Sequence, residues 1–404
     1  MVRKSKRLLH SLPALTLAAI FATASATEAI AFQDEGTVRV GMLESQTGTY
    51  APFGLANMTG TLIAFDEINA AGGVTVDGKK VKIQVTPSPN GYDAGVDPAQ
   101  SISLLKRLLL DDKVLLVKGV SNSNAGTAVF NYLAELEKEG NPIVVHSSSV
   151  GTPGLTKLSQ YAFRNSFIEN ENVVNNLVGA AVKETGAKSA AFFIIKDNPY
   201  YQTIVDKFIV PSLKAAGVEV KVMTDGVTAD RDFSRQVNEI RAANPDLVFV
   251  LAPTLGTVSF MKEAKRRQLK PKLFLGSQSA VTAEALQSGA EAIDGMVAPG
   301  AFDPQSPQIA KVAAEYKKRL GQDITFYVVT GYEAGYLIKD AIERAGIKNT
   351  TDTIVADRKK FRDAFATTSI TSPIGQKATF TADRETPKPG VNLVVKNGQF
   401  VVWK

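Results

Sequence analysis

Short apolar runs alternate with amphipathic stretches along almost the whole chain. Runs at 37–43, 80–87, 114–117, 142–145, 189–195, 218–224, 247–252, 272–275 and 295–299 have the length and character of strands. Between and after them, apolar residues recur at helical spacing, which predicts helices at 54–71, 98–110, 170–185, 200–216, 233–243, 256–267, 307–320, 332–345 and 359–366. The first of these closes on Gly72-Gly73, a suitable C-cap, and the 200–216 stretch sets Tyr201, Ile204, Val205, Phe208, Ile209 and Leu213 on one face. Short strands near 377–380, 391–395 and 400–403 close the chain. This alternation predicts an α/β protein with parallel sheets covered on both faces. The elements are too many for one compact sheet, so two doubly wound lobes are expected. No low-complexity linker separates them, as expected if the chain passes several times between lobes.

One stretch organises the chemistry. Residues 114–130, VLLVKGVSNSNAGTAVF, read as a buried strand, then a turn of Gly119, Ser121, Asn122, Ser123 and Asn124. A helix follows, with Ala125, Ala128, Val129, Tyr132, Leu133 and Leu136 at helical spacing. Free N–H groups and hydroxyls at a helix start suit a carboxylate or other anion. The plainer reading is that Ser123 or Asn124 caps its own helix. A second copy of the pattern favours the anion site: the 142–145 run empties into His146-Ser147-Ser148-Ser149-Val150-Gly151. Ligands of open α/β sheets sit outside the carboxyl ends of strands, so two adjacent turns would form one wall of a cleft.

Composition narrows the class. Arg3, Lys4, Lys6 and Arg7, an apolar run at 12–21 too short to span a bilayer, and Ala29-Ile30-Ala31 form an export signal expected to be removed after Ala31, with Ala24-Ser25-Ala26 as a second cleavage choice. With four basic residues and Glu28 gone, the net charge falls from +6 to +3 over many mixed-sign helices, a solvated surface and not a nucleic-acid footprint. The absence of cysteine excludes disulfides, a thiol nucleophile and a lipid-modified N-terminal cysteine. Free diffusion in the periplasm is expected, although a Gram-positive host is compatible with the same sequence.

Enzymatic machinery is sparse. Of two histidines, His10 leaves with the signal, so His146 alone remains, and a structural role suits it better than a ligand-touching one. No G-x-S-x-G elbow, P-loop or G-x-G-x-x-G fingerprint occurs. No catalysis, cofactor or metal is expected.

The segments VRVGMLESQTGTYAPFG, IAFDEINAAGGV, SNSN, SSSVGTPGLT, DNPYYQ, DFSRQVNEIRAANPDLVFV and LGSQS, in this order and spacing, resemble the type I periplasmic solute-binding proteins, specifically the branched-chain amino acid (Leu/Ile/Val) binding family. The likeness covers nearly the whole chain after the signal. It implies two α/β lobes joined by three hinge crossings near Arg164, near Gly300 and at 386–390. Lobe one would then be 37–163 with 301–388, and lobe two 164–300 with 389–404. It further implies a monomer that captures a small carboxylate, a hydrophobic or branched-chain amino acid or an aromatic acid, between the lobes and delivers it to ABC transporter permease subunits. A periplasmic sensor of the same fold, controlling a receptor or regulator, is the alternative.

Carried over residue by residue, the resemblance places the carboxylate-binding serine at Ser123, beside Asn122. The second loop falls on Ser149 and Gly151, where the family commonly has threonine in place of Gly151. Tyr201 matches the cleft tyrosine, with Tyr200 next to it and packing in the core as the plainer role for Tyr201; Phe53 matches the aromatic near the ligand side chain. Gln278 stands where amino-acid binders put a glutamate against the ammonium group. An unpaired buried ion costs about 3–5 kcal/mol, so either the ligand lacks an ammonium or another acid supplies the charge. Glu44, at the end of the first strand, is the acid expected to face the cleft, and Pro253 replaces a tyrosine common in amino-acid binders.

Overall fold

The computed structural model describes residues 36–404. The export signal expected at 1–31 lies outside the described residues. The strands of the first half are β1 (Thr37–Glu44), β2 (Val74–Val76), β3 (Lys79–Thr86), β4 (Tyr92–Asp93), β5 (Leu116–Gly119), β6 (Val144–Ser147) and β7 (Ala162–Arg164). They form one sheet in the order β2-β3-β1-β5-β6-β7, with β4 beside the end of β1. Every pair is parallel except β2 with β3. A second sheet takes β8 (Ser189–Ile195), β9 (Glu219–Gly226), β10 (Leu247–Leu251), β11 (Leu273–Gly276) and β12 (Val297–Gly300), all parallel. After a small hairpin of β13 (Ser369–Thr371) and β14 (Lys377–Thr379), strands β15 (Val391–Lys396) and β16 (Gln399–Val402) extend that second sheet antiparallel, giving the order β16-β15-β12-β11-β10-β8-β9. The expected pair of doubly wound lobes is present, each with an antiparallel edge added to a parallel core.

Burial follows from strand position. SAAFFII of β8 and LVFVL of β10 are buried at every residue, as strands covered on both faces must be. Edge strand β9 exposes alternate side chains. In the first sheet Val38, Val40, Leu116 and Val145 are fully buried, and in the second Phe192 stacks on Phe249 at 4.9 Å. Strand order reverses at β1 in one sheet and at β8 in the other, so each sheet has its switch point, where ligands of such folds bind, at the carboxyl ends of those strands.

The first four helices are α1 (Ala51–Ala70), α2 (Pro98–Leu110), α3 (Ser123–Lys138) and α4 (Glu171–Thr185), of which α1 and α3 reach the site. The 200–216 helix starts as α5 (Pro199–Ile204), passes a π-helical turn (Val205–Ile209) and continues as α6 (Val210–Ala215). Helix α1 packs against the long helix Phe326–Arg344 through glycines. A Cβ on Gly60 would stand 2.0 Å from the Val328 carbonyl, and one on Gly331 2.2 Å from that of Asn57. Only glycine permits backbones so close, and the contact fixes Phe53, Asn57 and Tyr327 relative to one another.

The chain leaves the first sheet after Arg164, and after Gly300 it returns to that half mainly as helices, the long Phe326–Arg344 helix packing on α1. It crosses again just before β15. Residues 384–386 run beside Arg164: the Arg164 N–H donates to the Arg384 carbonyl at 3.1 Å, and the Thr386 N–H donates to the Arg164 carbonyl at 3.1 Å. Arg164 Nε also donates to Glu385 Oε1 at 3.0 Å. On the same crossing, buried Lys388 pairs with buried Glu333, which accepts from Asn165 Nδ2 at 3.0 Å.

Several elements differ from expectation. The helix Ala283–Ile293 has no counterpart among the predicted helices; only its Ala285 and Ile293 are buried, and Gly289 breaks it with φ −171° and ψ 36°. The long helix begins at Phe326 and not at 332, because its first turns are buried all round and show no polar face.

Candidate functional site

The turn after β5 is built from behind. Lys118 Nζ and Glu44 Oε1 form a fully buried ion pair at 2.7 Å. Ser121 Oγ donates to the same Glu44 carboxylate and accepts from the Ser45 N–H at 2.8 Å. Asn122 then caps α3, its Oδ1 accepting from the Ala125 N–H at 2.9 Å. The cap is therefore Asn122, not Ser123 or Asn124. Ser123 is free for other work: its hydroxyl has no hydrogen-bond partner among the described residues, and buried Asn122 Nδ2 has none either.

The second turn is tied to the first. Ser147 Oγ donates to the Val120 carbonyl at 2.7 Å and accepts from the Ser149 and Val150 N–H groups. Ser149 Oγ accepts from Asn57 Nδ2. His146 lies one residue behind, wholly buried against Phe365 and Phe380, and burial holds its pKa well below the usual imidazole range. It is a core residue.

Lobe two supplies the opposite wall. Asn198 caps α5, with its Oδ1 accepting from the Tyr200 N–H at 3.1 Å, and its Nδ2 donates across the cleft to the Tyr50 hydroxyl at 3.1 Å. Gln278 opens a 3₁₀ turn after β11, and its Nε2 donates to the Tyr200 hydroxyl at 3.0 Å, whereas its buried Oε1 has no partner among the described residues. Tyr327 donates to the Gln278 carbonyl at 3.3 Å, and Phe53 lies against the Tyr327 ring at 5.0 Å. Burial raises the hydroxyl pKa of Tyr201 and Tyr327 far above the ordinary phenol value, so both are neutral donors.

These groups enclose a cavity between the lobes. Ser123, Asn122, Ser149, Gly151, Tyr201, Tyr200, Gln278 and Phe53 all line it. Glu44 does not: its charge is spent on Lys118 behind the turn, so the expectation that it faces the cleft is corrected. Pro253 lines a separate groove with Thr49, Ile195 and Leu255. Tyr50, Asn198 and Tyr327 join the wall without having been anticipated. The only sequence signals were an aromatic before the first helix and an Asn-Pro helix start. The remaining space is small, about 20 Å³ in which a water-sized sphere can be centred, room for one water. Gln278 and Tyr200, hydrogen-bonded to each other, both face this space.

Residues 37–399 match the family model described as periplasmic binding protein. The chain belongs to that family. It is 24% identical over 344 residues to the leucine-, isoleucine-, valine-, threonine- and alanine-binding protein of Pseudomonas aeruginosa, covering 84% of each chain. A leucine-binding protein from Thermotoga maritima has the same fold, with a TM-score of 0.76 and 22% identity over 91% of this chain and 98% of the other. So does a solute-binding protein of an R. palustris ABC transporter solved with benzoate, with a TM-score of 0.75 and 21% identity over 91% and 95%. Members of the family bind solutes and are not enzymes, and the family is periplasmic.

Proposed function

We propose that this periplasmic binding protein is the solute-capturing component of an ABC-type importer. It closes its two lobes over a small carboxylate, a hydrophobic amino acid or an aromatic acid, and presents the closed form to the membrane permease. The observation that carries this reading is the start of α3, where the Ser123 hydroxyl and the Asn122 amide are unpartnered donors at the positive end of a 16-residue helix. Phe53, Tyr50 and Tyr327 provide an aromatic wall beside it for an apolar ligand body. Ligand binds the closed arrangement better than the open one and shifts the population toward it.

A thermal-shift screen of hydrophobic amino acids and benzoate-type acids tests the proposal. A true ligand at about a hundredfold over its Kd stabilises the fold by roughly 2.7 kcal/mol. Absence of any response across both classes would refute it.

A further inference from the structure

Glu169 sits in the segment that leads from β7 into α4 and is 2% exposed. Its Oε1 accepts from the Gln278 N–H at 3.3 Å, and its buried Oε2 has no partner among the described residues. The groups facing it are Gln278 from the 3₁₀ turn, Tyr201 from α5 and Tyr327 from the Phe326–Arg344 helix. All three line the cavity, so Glu169 lies one layer behind the wall where lobe two meets the ligand space. Gln278 is a neutral amide and burial keeps both tyrosines neutral, so none of the three offers a counter-charge. A structural carboxylate is ordinarily satisfied at both oxygens. Here burial pushes the acid up to about 8, outweighing the Gln278 contacts that favour its ionised form.

We propose that Glu169 is the specificity-determining acid of the cleft: from directly behind the wall formed by Gln278, Tyr201 and Tyr327 it supplies the counter-charge for the ammonium group of a ligand that carries both a carboxylate and an amine, and gives up its own proton to solvent as that ligand is captured. This inference rests on the carboxylate-binding reading of the cleft. Glu44 is excluded from the role by its pairing with Lys118. Gln278 stays neutral and orients the acid through its backbone. Because capture must first remove a proton below the ionisation range of Glu169, affinity for ammonium-bearing ligands tightens with rising pH, by up to about tenfold per unit, until the acid is ionised. Ligands without the amine gain nothing from the ionised form.

Isothermal titration of the purified protein at pH 6, 7 and 8, in two buffers of different ionisation enthalpy, tests this. The probes are L-leucine and L-phenylalanine against 4-methylpentanoate and 3-phenylpropionate. The expected result at pH 6 and 7 is close to one proton released per amino acid bound, and none for the ammonium-free acids. Glu169→Gln should abolish the release and weaken amino-acid binding at pH 8 at least about tenfold, while leaving the ammonium-free acids unchanged. Glu169→Asp should retain the proton release, which separates the loss of an acid from a general disturbance of the fold. Amino-acid binding without proton release, or an unchanged pH profile in Glu169→Gln, overturns the proposal. Binding of the ammonium-free acids alone overturns it too but leaves the carboxylate site standing; binding of none of the four overturns both.

Discussion

A Cβ placed on Gly151 would stand 2.9 Å from Gln278 Nε2, so the absence of a side chain on one lobe and the amide on the other are complementary halves of a single contact. The same Cβ would meet Tyr200 Cε2 at 2.9 Å. Gly151→Ala is therefore expected to hold the lobes apart and raise Kd at least about tenfold, the scale of 1.4 kcal/mol. Gly151→Thr should do more. Titration calorimetry together with small-angle scattering checks both; tight binding with a fully closed envelope in Gly151→Thr would contradict the contact.

Ser123 and Asn122 are expected to separate by what they lose. Ser123→Ala removes a hydroxyl that caps nothing, so it should leave stability within about 0.5 kcal/mol. It should weaken carboxylate binding by about 1.5–3 kcal/mol, the usual worth of a hydrogen bond to a charged group. Asn122→Ala should also cost about 1 kcal/mol of stability through the lost cap. Paired denaturation and binding curves decide; unchanged affinity in Ser123→Ala would remove the hydroxyl from the site.

Glu44→Gln leaves Lys118 buried without its counter-charge. A loss of about 3–5 kcal/mol in unfolding free energy is expected, with no change in the preference between amine-bearing and amine-free ligands. A stable variant with altered preference would return Glu44 to the ligand.

Glu169 makes stability depend on pH in a definite direction. The folded chain keeps a proton up to about 8 that the unfolded chain gives up near 4.5. Its contribution is therefore whole below about 4.5 and is lost as the pH rises through about 8. The melting temperature of the native protein should fall relative to that of Glu169→Gln between pH 5 and 8. Parallel curves across that range would show that Glu169 ionises normally.

Much of this was legible along the chain. The β5 turn and the β6 turn were visible as apolar runs ending in hydroxyl-rich residues, and both reach the cavity because strand ends at a switch point can point nowhere else. Glu44 was misread because its role depends on register: Met42 lies opposite Lys118 across β1 and β5, a pairing that spacing within either strand does not reveal. Glu169 was invisible for a similar reason. In FIEN it is a polar residue ahead of the Asn170 cap, and only the return of the chain with Gln278 buries it. The Ala283–Ile293 helix was missed because Gly289 interrupts it and only Ala285 and Ile293 of it are buried.

The backbone bonds that zip residues 384–386 alongside Arg164 also limit how the molecule can move. If these two segments serve as the tethers between the halves, their mutual bonds would favour a common swing over sliding or torsion. A membrane partner that touches both rims would then be reading a single angle, and loosening either tether would blur that signal before it altered the grip on the solute.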